Sequence, residues 1–238
     1  MAEKPRFYDV TLTKIVDLTD SVRHFVIEYD KAADSRFLAG QFLMVHIDRE
    51  GKPHKKAYSI ASSPSILPRV ELCIKLVEGG FTTNWFWGLK TGDRFQTSIP
   101  YGVFTIKEPW QEELVFVGTG TGVAPLRGMI QNLYEKGCQK RITLIFGNRY
   151  ENEILYESEW REMEKKHPNF RFIPTISRGK SWKGETAYVQ DIVKREFEGK
   201  IQGKDFYGCG LAPMCRSLRE TLLAMGVERQ FIHFEQFT

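Results

Sequence analysis

Leu114-Val115-Phe116-Val117-Gly118-Thr119-Gly120-Thr121-Gly122-Val123-Ala124-Pro125 is the stretch on which the fold turns. Four apolar residues give a short buried-strand signal, glycines recur at alternate positions behind them, and Pro125 suits the first turn of a helix. Closely spaced glycines let the backbone approach a phosphate group, and a helix N-terminus adds free N–H groups and a partial positive charge. In an open α/β sheet such a turn lies at the carboxyl ends of the strands, where ligands bind. No Gly-Lys-Ser/Thr ending follows, so this is not a P-loop, and the third glycine of the usual dinucleotide fingerprint would fall on Val123. A tight strand-to-helix turn that binds nothing is the alternative.

Downstream, short apolar runs alternate with helical ones. The runs are Ile142–Phe146, Phe170–Ile176, Phe206–Cys209 and Phe231–Phe234; the helical stretches are Leu126–Lys136, Ser158–Lys166, Tyr188–Phe197 and Ala212–Met225. With Leu114–Val117, this gives five strands and four helices, the pattern of a parallel sheet with helices on both faces. Upstream the rhythm differs. Tyr8–Val16, Val22–Tyr29, Phe42–Ile47, Tyr58–Ser62 and Val70–Val77 are rich in Val, Ile, Thr, Phe and Tyr and are punctuated by Gly40, Gly51, Pro64 and Gly92. Closely spaced strands of this kind predict an antiparallel barrel or sandwich. The break falls near Glu108–Glu112, giving domains of residues 1–108 and 109–238.

The 238 residues are 42% hydrophobic, enough for two domains with their own cores and too many for disorder. The net charge is +4, and it divides evenly: 15 Lys/Arg against 13 Asp/Glu in residues 1–108, and 19 against 17 in residues 109–238. So weak a balance gives no reason to expect nucleic acid. No apolar run approaches the roughly 20 residues of a membrane span, and Met1–Val10 shows no secretory pattern. Cys73, Cys138, Cys209 and Cys215 are too few and too scattered for a disulfide framework. A reducing, cytoplasmic location is therefore expected.

Five further segments gain meaning together: Lys56-Ala57-Tyr58-Ser59, Gly79-Gly80-Phe81-Thr82-Thr83-Asn84, Pro100-Tyr101-Gly102-Val103-Phe104, Gly208-Cys209-Gly210-Leu211-Ala212-Pro213-Met214 and Glu235-Gln236-Phe237. In this order, with the glycine turn among them, they resemble the ferredoxin–NADP reductase family over essentially the whole chain. The resemblance implies an FAD-binding antiparallel β-barrel followed by a five-stranded α/β domain that binds NADP(H), with the reactive flavin ring between them.

For the flavin, the resemblance implies that Tyr58 packs on the isoalloxazine and Ser59 donates a hydrogen bond toward N5. Lys56 stands where the family has arginine; it keeps the charge and loses the planar fork. FAD is expected, with FMN less excluded than usual. Gly79, Gly80, Phe81, Thr82 and Thr83 would bring backbone N–H groups and a hydroxyl to the diphosphate, helped by a short helix after Thr83. Ala57, Ile74 and Lys75 would border the flavin. Phe237 would stack on its ring, in place of the family's terminal tyrosine and with Thr238 still to follow.

For the nucleotide, the resemblance implies binding at Gly120, Thr121, Gly122, Gly210, Pro213 and Met214. Cys209 would seat the nicotinamide at a reacting distance of about 3–3.5 Å. Glu235 would relay protons or orient Ser59 and Cys209. Cys215 is expected to be structural. A Ser177-Arg178 pair is similar to the one that binds the 2′-phosphate in NADP-using members, with Tyr188 near the adenine, Gln190 beside it and Arg149 reaching the diphosphate or the 2′-phosphate. Thr186 stands where many members carry a basic residue, and no acid replaces Ser177 as in NAD-preferring relatives. NADPH is the expected donor.

The implied activity is electron transfer between NADP(H) and ferredoxin or flavodoxin. The reductase component of an oxygenase, or a free-flavin reductase, is the alternative. A fold relative without hydride transfer is disfavoured by Ser59, Cys209 and Glu235. The cysteine spacings of 65, 71 and 6 residues match no plant-type iron–sulfur pattern. A stand-alone flavin enzyme, monomeric and without a metal, is therefore expected.

Overall fold

The structure is a computed structural model and describes residues 5–30, 36–179 and 181–237. Its residues cluster into two units: one runs to Ile106 and takes in Arg127–Lys136, and the other holds Lys107–Leu126 and the residues after Lys136.

The first unit is a six-stranded antiparallel sheet made of β1 (Arg6–Thr19), β2 (Val22–Tyr29), β3 (Phe42–Arg49), β4 (Lys52–Ser59), β5 (Arg69–Lys75) and β6 (Arg94–Tyr101), in the order β4-β3-β6-β1-β2-β5. The chain leaving β4 folds back on β5 through an Ile60–Leu72 bridge and an Ala61 N to Glu71 O bond of 2.8 Å. That contact closes the sheet into the expected barrel. Alternate residues fill it: Val10 and Leu12, Leu43, Val45 and Ile47, Val70, Leu72 and Ile74 are all buried in one core. Helix α1 (Phe81–Gly88) packs on that core through Phe86, which meets Phe25, Tyr58 and Phe95 at ring-centroid distances of 5.1, 5.1 and 5.9 Å.

Two strands differ from expectation. β4 begins at Lys52 and ends at Ser59, so it starts six residues before the predicted Tyr58 and excludes Ile60–Ser62. Its polar start is tolerated because β4 is at the edge of the hydrogen-bonded order, where exposed lysines cost nothing. β6 was not predicted, because Arg94, Gln96, Thr97 and Ser98 dilute its apolar signal. Thr97 and Ser98 are nevertheless fully buried, and Ser98 Oγ bonds His46 Nε2 at 2.8 Å and Tyr101 Oη at 2.9 Å.

In the same unit Arg127 is buried and donates to the Ala61 carbonyl at 2.7 Å and to Glu71 at 2.5 Å. His24 Nε2 lies 3.9 Å from the other oxygen of Glu71.

The second unit is the expected five-stranded parallel sheet: β7 (Glu113–Thr119), β8 (Arg141–Asn148), β9 (Phe170–Ile176), β10 (Lys204–Leu211) and β11 (Ile232–Phe237), in the order β11-β10-β7-β8-β9. Helices α2 (Val123–Glu135), α3 (Glu157–Lys166), α4 (Val189–Phe197) and α5 (Ala212–Ala224) connect them, although the residues of α2 from Arg127 onward cluster with the first unit. β7 is buried from Glu113 to Gly118, as a central strand covered on both faces must be. The chain runs outward from β7 to β8 and β9, then returns to β10 on the other side. The topological switch therefore lies between β7 and β10.

Candidate functional site

In the first unit, the expected flavin residues lie on β4 and at the start of α1. Tyr58 is half-buried and meets Phe86 edge-on at 77°. Its hydroxyl is buried without a hydrogen-bond partner, and burial raises its pKa above the usual range. An orphaned phenol is a donor awaiting an acceptor. Ser59 ends β4 opposite Phe42, and Lys56 and Ala57 are exposed. Ile74 points into the barrel core, so its backbone alone can border a ligand; Lys75 is exposed.

Helix α1 begins at Phe81 and not after Thr83 as expected, so Thr83 lies in its first turn. Its first internal bond runs from Asn84 N to Gly80 O at 3.0 Å, leaving the N–H groups of Phe81, Thr82 and Thr83 ahead of it without helical acceptors. Gly80 caps the helix and has no side chain to cover them. A Cβ there would lie 2.8 Å from Thr83 Oγ1. Gly79, at φ +70°, faces open space. Uncovered donors beside small residues form a cradle that suits a diphosphate. The Thr83 hydroxyl is engaged locally: it accepts from Val77 N at 3.1 Å and lies 3.2 Å from Gly80 O.

In the second unit, the glycine turn occupies the topological switch. Gly120–Gly122 form a 3-10 turn between β7 and α2, with Gly120 at φ +53°. A Cβ on Gly122 would come 2.3 Å from the Cys209 carbonyl oxygen, and one on Gly210 would come 2.4 Å from Thr119 Oγ1 and 2.6 Å from Met214 Cε. The turns after β7 and β10 are therefore in backbone contact. Thr121 is half-buried beside them, and Pro213 and Met214 lie in the first turn of α5.

Cys209 lies inside β10, which continues to Leu211, and is fully buried between Gly118 on β7 and Glu235 on β11. Burial above all, then Glu235 and Cys215, drives its thiol pKa well up, so it is a thiol and not a thiolate. Cys215 Sγ contacts the Gly210 and Glu235 carbonyl oxygens at 3.7 and 3.6 Å, which fits its expected structural role. Glu235 and Phe237, which lie past the predicted run Phe231–Phe234, belong to β11; Phe237 pairs with Leu211. Thr238 lies outside the described residues.

The expected 2′-phosphate residues meet. Ser177 N donates to Asn148 O at 3.0 Å and Arg178 N to Arg149 O at 2.8 Å, which ties the turns after β8 and β9 together. Both arginines are exposed, and neither guanidinium has a carboxylate partner among the described residues. Two carboxylates that sequence reasoning missed brace these turns: Glu153 accepts from Arg149 N at 3.3 Å and Glu151 from Ser181 N at 3.4 Å. Their place within a few residues of Arg149 was the available signal. Tyr188 caps α4 and is 66% exposed, free to present a ring; Gln190 follows in the first turn. A Cβ on Gly147 would come 2.6 Å from Val189 Cγ1, so this helix start sits against the end of β8.

Residues 9–106 match the model of the oxidoreductase FAD-binding domain, and residues 116–220 that of the oxidoreductase NAD-binding domain. The chain is 32% identical over 237 residues to ferredoxin–NADP reductase B of Sorangium cellulosum (strain So ce56), with 97% of each covered. The chain belongs to the ferredoxin–NADP reductase family. It is also 32% identical over 234 residues to the phenol 2-monooxygenase reductase component DmpP of Pseudomonas sp. (strain CF600), spanning 97% of this chain and 65% of that relative's length. The crystal structure of the Amycolatopsis cytochrome P450 reductase GcoB shares the fold, with a TM-score of 0.91 at 24% identity over all of this chain and 71% of that one. This family member thus carries an FAD-binding and an NAD-binding domain. Among its described residues no helix is long and apolar enough to cross a membrane.

Proposed function

We propose that this reductase oxidises NADPH and delivers the electrons to a one-electron protein carrier, ferredoxin or flavodoxin, with residues 1–108 holding FAD and 109–238 holding the nucleotide. FAD, when bound, would supply the two-electron to one-electron chemistry at its N5 atom. The chain's own residues bind and orient. Tyr58 offers its unpartnered hydroxyl and ring edge, and Ser59 directs a hydroxyl toward N5. The donors of Phe81–Thr83 and the charge of Lys56 take the diphosphate.

On the nucleotide side, Gly120, Thr121 and Gly122 receive the diphosphate at the start of α2, with Gly210, Pro213 and Met214 alongside. Cys209 holds its proton and acts as a small wall that seats the nicotinamide; Glu235, its neighbour across β10 and β11, fixes that wall. The observation that carries the NADPH assignment is the Arg149–Arg178 pair of turns, which presents two uncommitted guanidiniums beside Ser177. Hydrogen bonds to a charged group contribute about 1.5–3 kcal/mol each, so such a pair favours a 2′-phosphate strongly over a bare ribose. Four buried cysteines, none of them in a disulfide, fit a cytoplasmic setting.

The reductase component of an oxygenase is the second reading, favoured by the likeness to the phenol 2-monooxygenase reductase. NADPH oxidation measured with ferredoxin, flavodoxin and free FMN as acceptors decides between the readings. Fast turnover with a carrier protein is expected. Turnover with free flavin alone would refute the carrier, and a colourless protein that fails to bind added FAD would refute the enzyme.

A further inference from the structure

Antiparallel register sets His54 opposite Ile47, Lys56 opposite Val45 and Tyr58 opposite Leu43, so these three β4 residues share the face that looks toward the barrel core. Lys56 and Tyr58 belong to the proposed flavin site; His54 has no role in it so far. Its Nε2 lies 2.8 Å from Thr82 Oγ1, and its ring meets Phe81 edge-on at 5.3 Å and 88°. Thr82 is 6% exposed, so its hydroxyl needs a partner inside the protein. The Arg49 guanidinium stands 4.8 Å from the centroid of the Phe81 ring. The first turn of α1 is thus held from β4 by one hydrogen bond and one ring contact, while Gly80 gives it no side-chain cap.

We propose that His54 is a positioning residue of the diphosphate cradle: it ties the start of α1 to β4 and so fixes the aim of the Phe81, Thr82 and Thr83 N–H groups. The inference rests on the FAD reading above. It assigns His54 an effect on the diphosphate end of the flavin and none on the isoalloxazine end. With Nε2 donating to Thr82 Oγ1, the Thr82 hydroxyl proton is left to point elsewhere; with Nε2 accepting, that proton is consumed. In either tautomer the helix start is anchored.

The test compares flavins that differ in what they carry. Binding of FAD, FMN and riboflavin is measured by fluorescence titration, after exchange of the resident flavin, for the wild type, His54→Leu, His54→Gln and Thr82→Val. His54→Leu and Thr82→Val should weaken FAD about tenfold and leave riboflavin, which has no phosphate, within about twofold. His54→Gln keeps an N–H in reach and should recover most of the loss. Equal weakening of FAD and riboflavin would reduce His54 to a structural residue and overturn the proposal, as would unchanged FAD binding in both Leu and Val variants. Should His54→Leu fail to fold, the isosteric Thr82→Val carries the same comparison. A wild type that binds no FAD overturns the flavin reading itself and this inference with it.

Discussion

Arg178 has its backbone N–H fixed on Arg149 O, and its exposed side chain has no carboxylate partner among the described residues. Arg178→Ala should raise the KM for NADPH at least about tenfold and change that for NADH less than about twofold; steady-state kinetics with both nucleotides read the split. His24 gives a pH prediction. Burial, above all, holds its imidazole at a pKa of about 4 against an ordinary 6.5; the Arg127 and Lys14 charges add to this and Glu71 opposes it. Above pH 6.5 the ring is neutral folded or unfolded. As pH falls toward 4, the unfolded chain takes up a proton that the folded one refuses, and stability falls by up to about 3 kcal/mol. Melting temperatures should drop across that window, and His24→Gln should flatten the drop. At this scale the sequence was readable where a residue follows a strand end: Arg149, Ser177 and Arg178 each sit just past an apolar run. His54 was not, because a lone histidine among lysines carries no pattern and its partner is 28 residues away.

At the scale of elements, the glycine turn admits no side chain. A Cβ on Gly122 would press into the Cys209 carbonyl, a backbone atom that cannot swing aside. Gly122→Ala should therefore cost about 1–3 kcal/mol, seen as a fall of several degrees in melting temperature, and should weaken NADPH while FAD stays bound. Gly120→Ala, which meets open space and only an unfavourable φ, should cost less. The five parallel strands were legible because each carries a mainly apolar run, broken by polar side chains only at Thr143, Arg171, Thr175 and His233. β6 was not, because a central strand may bury Thr97 and Ser98 provided each finds a hydrogen bond, as both do here with Tyr29 at 3.4 Å and with His46 and Tyr101. The span of β11 was misjudged for a related reason: Glu235 and Gln236 look like a polar tail, yet β10 supplies their backbone partners.

For the whole molecule, composition excluded more than it identified, and the order of the motifs supplied the family. The two-domain pattern was visible because the apolar rhythm changes near residue 108. The grouping of Arg127–Lys136 with the first unit was not visible, since it depends on Arg127, Gly128 and Glu135 meeting Glu71, Ser62, Ser63 and Ser65, contacts that no local pattern announces. Ligand linkage gives a prediction at this scale. FAD at about 100 times its Kd should stabilise the flavin-free protein by about 2.7 kcal/mol, visible by calorimetry as an upward shift of roughly 5–10 °C. Riboflavin at the same concentration should shift it less, because it leaves the diphosphate cradle empty. The exposed part of β4, ahead of the barrel closure, has one more consequence. Lys52, Lys55 and Lys56 line a strand whose outer backbone groups could otherwise template another chain, and an incoming strand would have to strip water from each ammonium. These charges keep the strand from pairing edge to edge, so removing them would trade solubility for precipitate.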